Sequence, residues 1–258
     1  MTALRWTNDD GILELELCRA PCNEIGSQTL AELEAFLPAL DDARALIVHS
    51  TMEHGFSSGA DLRELFHGGA ALSDAERLAG VRDFLERIHA VLNTIDRAPI
   101  PTFAACHGIV FGGGFEVALA CDMIIADKTT RFAFPELRLG IVPGFGGLPR
   151  LKRDVSNALV RDLLFTGRSI NARKALETGL VSQVVSAGQA LRAARAGAAQ
   201  AVKFDAQTTA AAKRFLKPFP EEELRREIDL FLELFARPHV QAALRKFVED
   251  EGPMPYLP

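Results

Sequence analysis

Two glutamates stand in settings suited to proton transfer. Glu116 follows three glycines, Gly112 to Gly114, and Phe115, and it opens an apolar run, VALAC. Glu136 follows Pro135 after the strand-like RFAF. A carboxyl among apolar neighbours keeps its proton to higher pH, and two carboxyls held in different protonation states can act as acid and base on one substrate. Each also has an ordinary reading when taken alone: Glu116 as an acid complementing a helix dipole, Glu136 as an acid heading a short helix. The three glycines allow a tight strand-to-helix turn and a close approach of backbone to ligand. A helix starting there presents free N–H groups and the positive end of its dipole, which suit a developing oxyanion. A second segment, GFSSGADLREL at 55–65, reads as another turn into a helix, with Asp61 in the turn. Neither GGGFEV nor GFGGLP fits G-x-G-x-x-G, and the GKS or GKT ending of a phosphate loop is absent, so dinucleotide and phosphate-loop chemistry is not indicated.

These residues need elements to hold them. GILELEL, from Gly11 to Leu17, alternates apolar and polar residues and predicts a half-buried strand. Ser27 to Leu40 predicts an amphipathic helix with Ser27 as its N-cap. ALIVH at 45–49, Thr102 to Cys106, and Met123 to Ala126 predict short strands. A long helix is predicted from Leu78 to Ile95, where Val81, Leu85, Ile88, Leu92 and Ile95 recur at helical spacing, with Pro99 and Pro101 ending it. The pattern changes near Ser186. Beyond it only helices are predicted, among them Ala190 to Val202 and Glu222 to Phe235, the latter with an apolar stripe of Leu224, Ile228, Phe231, Leu232 and Phe235. The expected organisation is a mixed α/β body over 1–185 and a helical region over 186–258.

Composition sets the outer bounds. With 258 residues, 48% hydrophobic and 24% charged, the chain suits one large domain or a domain with a small appendage. A formal net charge of -5 gives no global basic field for nucleic acid. MTALRWTNDD lacks the basic and apolar regions of a secretory signal, and no run of about 18 apolar residues occurs, so a cytoplasmic protein without a membrane span is expected. Cys18, Cys22, Cys106 and Cys121 lack the paired short spacings of a zinc site, so they are expected reduced and mostly buried, with no metal bound.

Taken together the segments resemble the crotonase, or enoyl-CoA hydratase/isomerase, family. The resemblance is carried by FSSGADL (56–62), HGIVFGGGFEVALACD (107–122), FAFPELRLGIVPGFGGLPRL (132–151) and LFTGRSINARKALETGLVSQVV (164–185), in the family's order. It implies a crotonase-type α/β fold, a spiral of ββα units with a helical C-terminal trimerisation region, and self-association into a trimer or hexamer. It implies an acyl-CoA substrate whose thioester carbonyl sits between two backbone N–H groups, by position those of Ser58 and Gly113. Glu116 and Glu136 are the implied catalytic pair of a hydratase, because many isomerases in the family lack one of the two. Arg19 and Cys22 are the implied CoA contacts in the early loop, and Ser58, Gly59, Ala60, Asp61, Leu62 and Gly112 around the two turns. No cofactor is implied, since coenzyme A is part of the substrate.

The chemistry agrees with that implication. Two N–H donors aimed at a thioester oxygen stabilise an enolate-like state, and one such donor is worth about 3 kcal/mol in other systems. Adding water then needs a base at the water and an acid at the α-carbon; the assignment of the two glutamates to these roles stays open at this point. Dehydration is the same path reversed. The other readings are a double-bond isomerase, a dehydratase acting on a carrier-protein thioester, to whose members the tail FVEDEGPMPYLP bears a faint likeness, and a non-catalytic acyl-CoA or RNA-binding module, against which the acidic balance weighs. The chain departs from the family pattern at Ser58, at Leu148 and Pro149 in PGFGGLPRL, and in the early loop RAPCN, where Glu24 and Ile25 follow. Nearby cations for CoA are Arg19, Arg63 and Lys213, and the variable acyl pocket is expected around Phe66 to Leu85 and Phe145.

Overall fold

The computed structural model describes residues 2–67 and 72–249. Residues 250–258, which include most of the tail FVEDEGPMPYLP, and 68–71, within the expected acyl-pocket segment, lie outside the described residues.

Past an opening hairpin that lies wholly in one sheet, the chain winds as a spiral whose next three turns each give one strand to each of two sheets and then pass into helix. It opens with a hairpin, β1 (Leu4–Asp9) and β2 (Ile12–Leu17), followed by α1 (Ser27–Phe36). The next turn is β3 (Ala45–Ser50), β4 (Gly55–Ser57), α2 (Leu62–His67) and α3 (Asp74–Arg97). Then come β5 (Thr102–Cys106), β6 (Ile109–Phe111) and α4 (Gly113–Ala120), and after them β7 (Met123–Asp127), β8 (Arg131–Ala133), α5 (Gly147–Asp154) and α6 (Asn157–Thr166). The short β9 (Ile170–Asn171), α7 (Ala172–Glu177) and β10 (Gln183–Val185) complete the sheets. One sheet has the order β1-β2-β3-β5-β7-β10, parallel from β2 onward; the other has the order β4-β6-β8-β9, parallel except at β9.

Among the described residues every element after β10 is a helix: α8 (Ala190–Ala201), α9 (Ala206–Leu216), α10 (Glu221–Phe235) and α11 (Pro238–Glu249).

The apolar run in β3 is explained by burial on both faces. Leu46 and Val48 join the main core with Leu13, Leu15, Phe56, Ile88 and Phe115, while Ala45 and Ile47 pack with Phe103, Ile125 and the α8 residues Ala190, Ala194 and Ala198. The small side chains of α8 let it lie close on the sheet: a Cβ on Gly197 would come within 2.9 Å of the Phe103 ring.

Several expected boundaries move, among them the end of the first helix, which closes at Phe36 and gives way to a 3₁₀ turn, Leu37–Leu40. The long helix begins at Asp74, before Leu78, because Ser73 and Glu76 form a capping box. Ser27 is not the N-cap of α1; Gly26 holds that place. Ser27 gives its N–H (3.0 Å) and its hydroxyl to the Glu64 carboxylate instead. The four cysteines are free, as expected, and three of them are buried. No described helix is long and apolar enough to cross a membrane.

Candidate active site

The two glutamates meet because β6 and β8 are parallel neighbours, pairing Ile109 with Arg131 and Phe111 with Ala133. Their C-terminal ends emerge side by side, and Gly112 N–H donates to Ala133 O (3.0 Å). From β6 the chain turns through Gly112 (φ +50°) directly into α4, whose first turn carries Glu116. From β8 it runs through Phe134 and Pro135 to Glu136, the first residue of a 3₁₀ turn, Glu136–Leu139. The fit between the two is close: a Cβ on Gly112 would stand 2.5 Å from Glu136 Oε1, so this position requires glycine on both conformational and steric grounds.

The carboxyls have unlike surroundings. Glu116 is buried, and its Oε1 accepts N–H bonds from Phe145 (2.8 Å) and Gly147 (2.7 Å). Burial raises its pKa to about 7, and these amides hold it from rising further. Glu136 has less support, with only its own backbone N–H favouring the anion. Its Oε2 is shielded from solvent and has no hydrogen-bond partner among the described residues. Burial, and then the charge of Glu116, push its pKa well above the ordinary carboxylate value.

Beside them lies a cavity of about 310 Å³. Of the expected site residues it is lined by Ser58, Ala60, Asp61, Leu62, Gly112, Gly113, Glu116 and Glu136. Arg19, Cys22 and Gly59 are not among its lining residues. Arg19 instead clamps the early loop, donating to Glu24 O (2.6 Å) and pairing with Asp61 (2.5 Å). Cys22 is buried with Ile109, Phe111 and Ala133, where burial pushes its thiol up to about 11. Gly59 packs against the α4 turn, with its ideal Cβ position 2.9 Å from Gly113 N. Of the other expected cations, Lys213 is bound to Asp122 (2.9 Å) and Arg63 donates to Val248 O (2.6 Å); the arginines lining the cavity are Arg77 and Arg138.

The amide geometry corrects one expectation. Ser58 N–H donates to Cys22 O at 2.9 Å, so it is not available to a ligand. Ile25 bridges the next turn residues: its N–H donates to Gly59 O (2.8 Å) and its C=O accepts from Asp61 N (3.0 Å). That pattern leaves the intervening N–H of Ala60 facing the other way. Among the described residues neither Ala60 N–H nor Gly113 N–H has an acceptor, and an ideal Cβ on Gly113 lies 3.3 Å from Ala60 N, so the two free amides border one space.

Sequence reasoning missed further contributors. Asn23 is buried and organises the early loop, accepting from Arg19 N (2.8 Å) and donating to Ser50 Oγ (2.7 Å) and Phe56 O (2.8 Å). Its left-handed backbone (φ +53°) suits asparagine, but nothing in RAPCN announces the conformation. The apolar wall is built by Phe84 and Phe145, as the variable pocket segments suggested, and also by Phe231 of α10 and Phe247 of α11. The stripe on α10 marked Phe231 as buried without saying against what.

The strand-end cavity holds paired, shielded carboxyls and two free amides, an arrangement able to carry acid–base chemistry and to bind an oxyanion. The chain matches the enoyl-CoA hydratase/isomerase family over residues 7–254, and it belongs to that family. A probable enoyl-CoA hydratase from Rhizobium meliloti is 37% identical over 88% of this chain and 86% of its own length. The carnitinyl-CoA dehydratase of Salmonella arizonae is 39% identical over 83% of this chain and 80% of its own. The fold is likewise that of the enoyl-CoA hydratase structure from Bacillus halodurans, with a TM-score of 0.85 over 95% of this chain and 99% of that one at 24% identity.

Proposed function

We propose that this protein is an enoyl-CoA hydratase-type lyase that adds water across, or removes it to form, the α,β double bond of an acyl-CoA thioester. The observation that carries the reading is the pairing of two shielded carboxyls in unlike hydrogen-bonding states beside two unengaged amides. The family and the two hydro-lyase relatives support it.

The thioester oxygen accepts from Ala60 and Gly113 N–H, which favour the enolate form over the ground state. Glu116, with two amides stabilising its anion, is the base. It takes a proton from water as the oxygen attacks the β-carbon. Glu136, kept neutral by burial and by its charged neighbour, is the acid and delivers its proton to the α-carbon. Product formation leaves Glu116 protonated and Glu136 ionised, and a proton passes back between them before the next turnover. Dehydration runs the same steps in reverse. Coenzyme A belongs to the substrate, and no cofactor or metal enters the scheme.

The aromatic wall of Phe84, Phe145, Phe231 and Phe247 supports an apolar acyl chain. A trimeric or hexameric assembly goes with this reading, supported by the exposed apolar residues Phe204, Phe215 and Leu216 in the helical region. A cytoplasmic setting rests on the sequence reading. The test is loss of the enoyl-thioester absorbance of crotonyl-CoA on incubation with the protein; hydration is expected, and isomerisation of a 3-enoyl-CoA without hydration would replace this reading with that of an isomerase.

A further inference from the structure

The segment 144–148 lies between two buried carboxylates and is bonded to both. The N–H groups of Phe145 and Gly147 point to Glu116 Oε1. The intervening N–H groups point the other way: Gly146 donates to Glu227 Oε2 (2.6 Å) and Leu148 to Glu227 Oε1 (3.0 Å). The segment is a turn into a helix, with Gly146 left-handed (φ +91°) and Gly147 and Leu148 opening α5, so its free amides diverge and it acts as a two-sided strip with a glutamate on each side. Its carbonyls are tied as well: Gly144 O accepts from His89 Nε2 (2.9 Å), and Phe145 O (3.2 Å) and Gly146 O (3.0 Å) accept from Arg150. The strip passes close behind the catalytic side chain, for a Cβ on Gly147 would lie 2.6 Å from Glu116 Cγ.

Glu227 sits on α10, far along the chain from the segments that carry the family resemblance. It is buried, yet it does not line the cavity, and the scheme above gives it no task. An acid buried at the cost of its hydration needs donors, and here both donors come from the strip that aligns Glu116.

We propose that Glu227 is a positioning residue for catalysis, fixing the strip whose other face holds Glu116 in its reactive alignment and ionisation state. This rests on the hydratase reading of the same site. A glutamate can accept at both oxygens, whereas glutamine turns one of its positions into a donor facing a backbone donor. Glu227→Gln therefore frees one end of the strip. The amides on Glu116 slacken and its anion loses their direct support, which moves its ionisation to higher pH; losing the like charge of Glu227 works the other way and is the smaller effect, since the amides rank above it among the groups acting on Glu116. The other ionisable groups facing Glu227 are His89 from α3, with Nε2 3.6 Å from its Oε2, Arg150 from α5 and Glu116 itself.

The test uses the full chain and crotonyl-CoA. Wild type and Glu116→Gln are assayed first: if the wild type hydrates no enoyl-CoA, it is the hydratase reading that fails. In Glu227→Gln we expect kcat to fall about tenfold or more, KM to stay within about threefold, and the ascending limb of the kcat profile to move to higher pH. In the Glu116→Gln background the same change is expected to add little, because it acts through Glu116. Glu227→Asp keeps two acceptors on a shorter arm and is expected to show the same pattern more weakly; it also serves if the Gln variant does not fold. The ionisation of Glu116, followed by infrared difference titration of parent against Glu116→Gln, is expected to shift upward in step, with or without turnover. An unchanged pH profile and titration in Glu227→Gln, or a loss that multiplies in full with that of Glu116→Gln, would overturn the proposal.

Discussion

At the residue scale the site depends on asymmetry between two glutamates of the same type. Glu116 is held by two amides, while Glu136 presents an oxygen with no partner among the described residues. Gly112 is the hinge between them. Gly112→Ala places a methyl carbon against Glu136 Oε1 in a backbone conformation (φ +50°, ψ -128°) that side chains rarely adopt, at a cost of about 1–3 kcal/mol. Hydration is expected to fall by at least about 10²-fold through displacement of the acid. Steady-state kinetics on purified, folded variant checks this, and retention of near-full kcat would show that Glu136 does not need its present position. The glutamates and the glycine turn were legible in the sequence because residue type and order carried them. The identity of the second free amide was not: FSSGADL marks a turn, but which N–H faces outward depends on the bridge to Ile25, distant in the turn's own sequence.

At the element scale, α5 and the strip before it depend on a buried cation. Arg150 bonds Asp96 (2.8 Å), Asn93 (2.6 Å) and two strip carbonyls, and Asp96 also receives Lys217 (2.7 Å) and Arg153 (3.1 Å). Arg150→Met leaves those carbonyls unsatisfied and removes one cation from a carboxylate that stays buried. A loss of about 3–5 kcal/mol is expected, read as a lower denaturation midpoint at constant m-value. A midpoint unchanged from wild type would mean that the network contributes nothing net. Pro149, marked in the sequence only as a departure from the family pattern, lies in the first turn of α5, where a missing N–H costs no helical bond. The tie from Leu148 N–H to Glu227 was not readable, because the partner lies on a helix whose pattern shows only an apolar stripe.

At the scale of the whole molecule, the site costs stability in a pH-dependent way. Glu116 has a folded pKa raised from 4.5 to about 7, and burial pushes that of Glu136 well above the ordinary carboxylate value. Between those values the folded state binds more protons than the unfolded state, so stability falls as pH rises. Buried His89, lowered to about 4, acts in the opposite sense only below its unfolded value of 6.5. Above about pH 6.5 the carboxyls therefore dominate. Tm is expected to decrease from pH 6.5 to 8.5, and less steeply in Glu116→Gln, by differential scanning calorimetry; a flat or rising Tm would contradict the raised ionisation. For assembly, sedimentation at micromolar concentration is expected to give a trimer or hexamer, and a monomer would refute it. The run of helices alone after β10 was legible from the change of pattern near Ser186. The use of α10 and α11 to close the apolar wall of the cavity was not, because periodicity tells that a face is buried and leaves its neighbour unnamed.

The most direct test of the account is the rate of crotonyl-CoA hydration in Glu116→Gln, Glu136→Gln and the double variant, each checked for fold and acyl-CoA binding. Glutamine keeps volume and hydrogen bonding but cannot exchange the proton. Each single change is expected to lower the rate by at least about 10²-fold, and the double change by far less than the product, since both groups serve one water. If Glu116→Gln kept near-full hydration while Glu136→Gln abolished proton exchange at the α-carbon, the two-carboxylate mechanism would be contradicted and a single-glutamate isomerase would take its place.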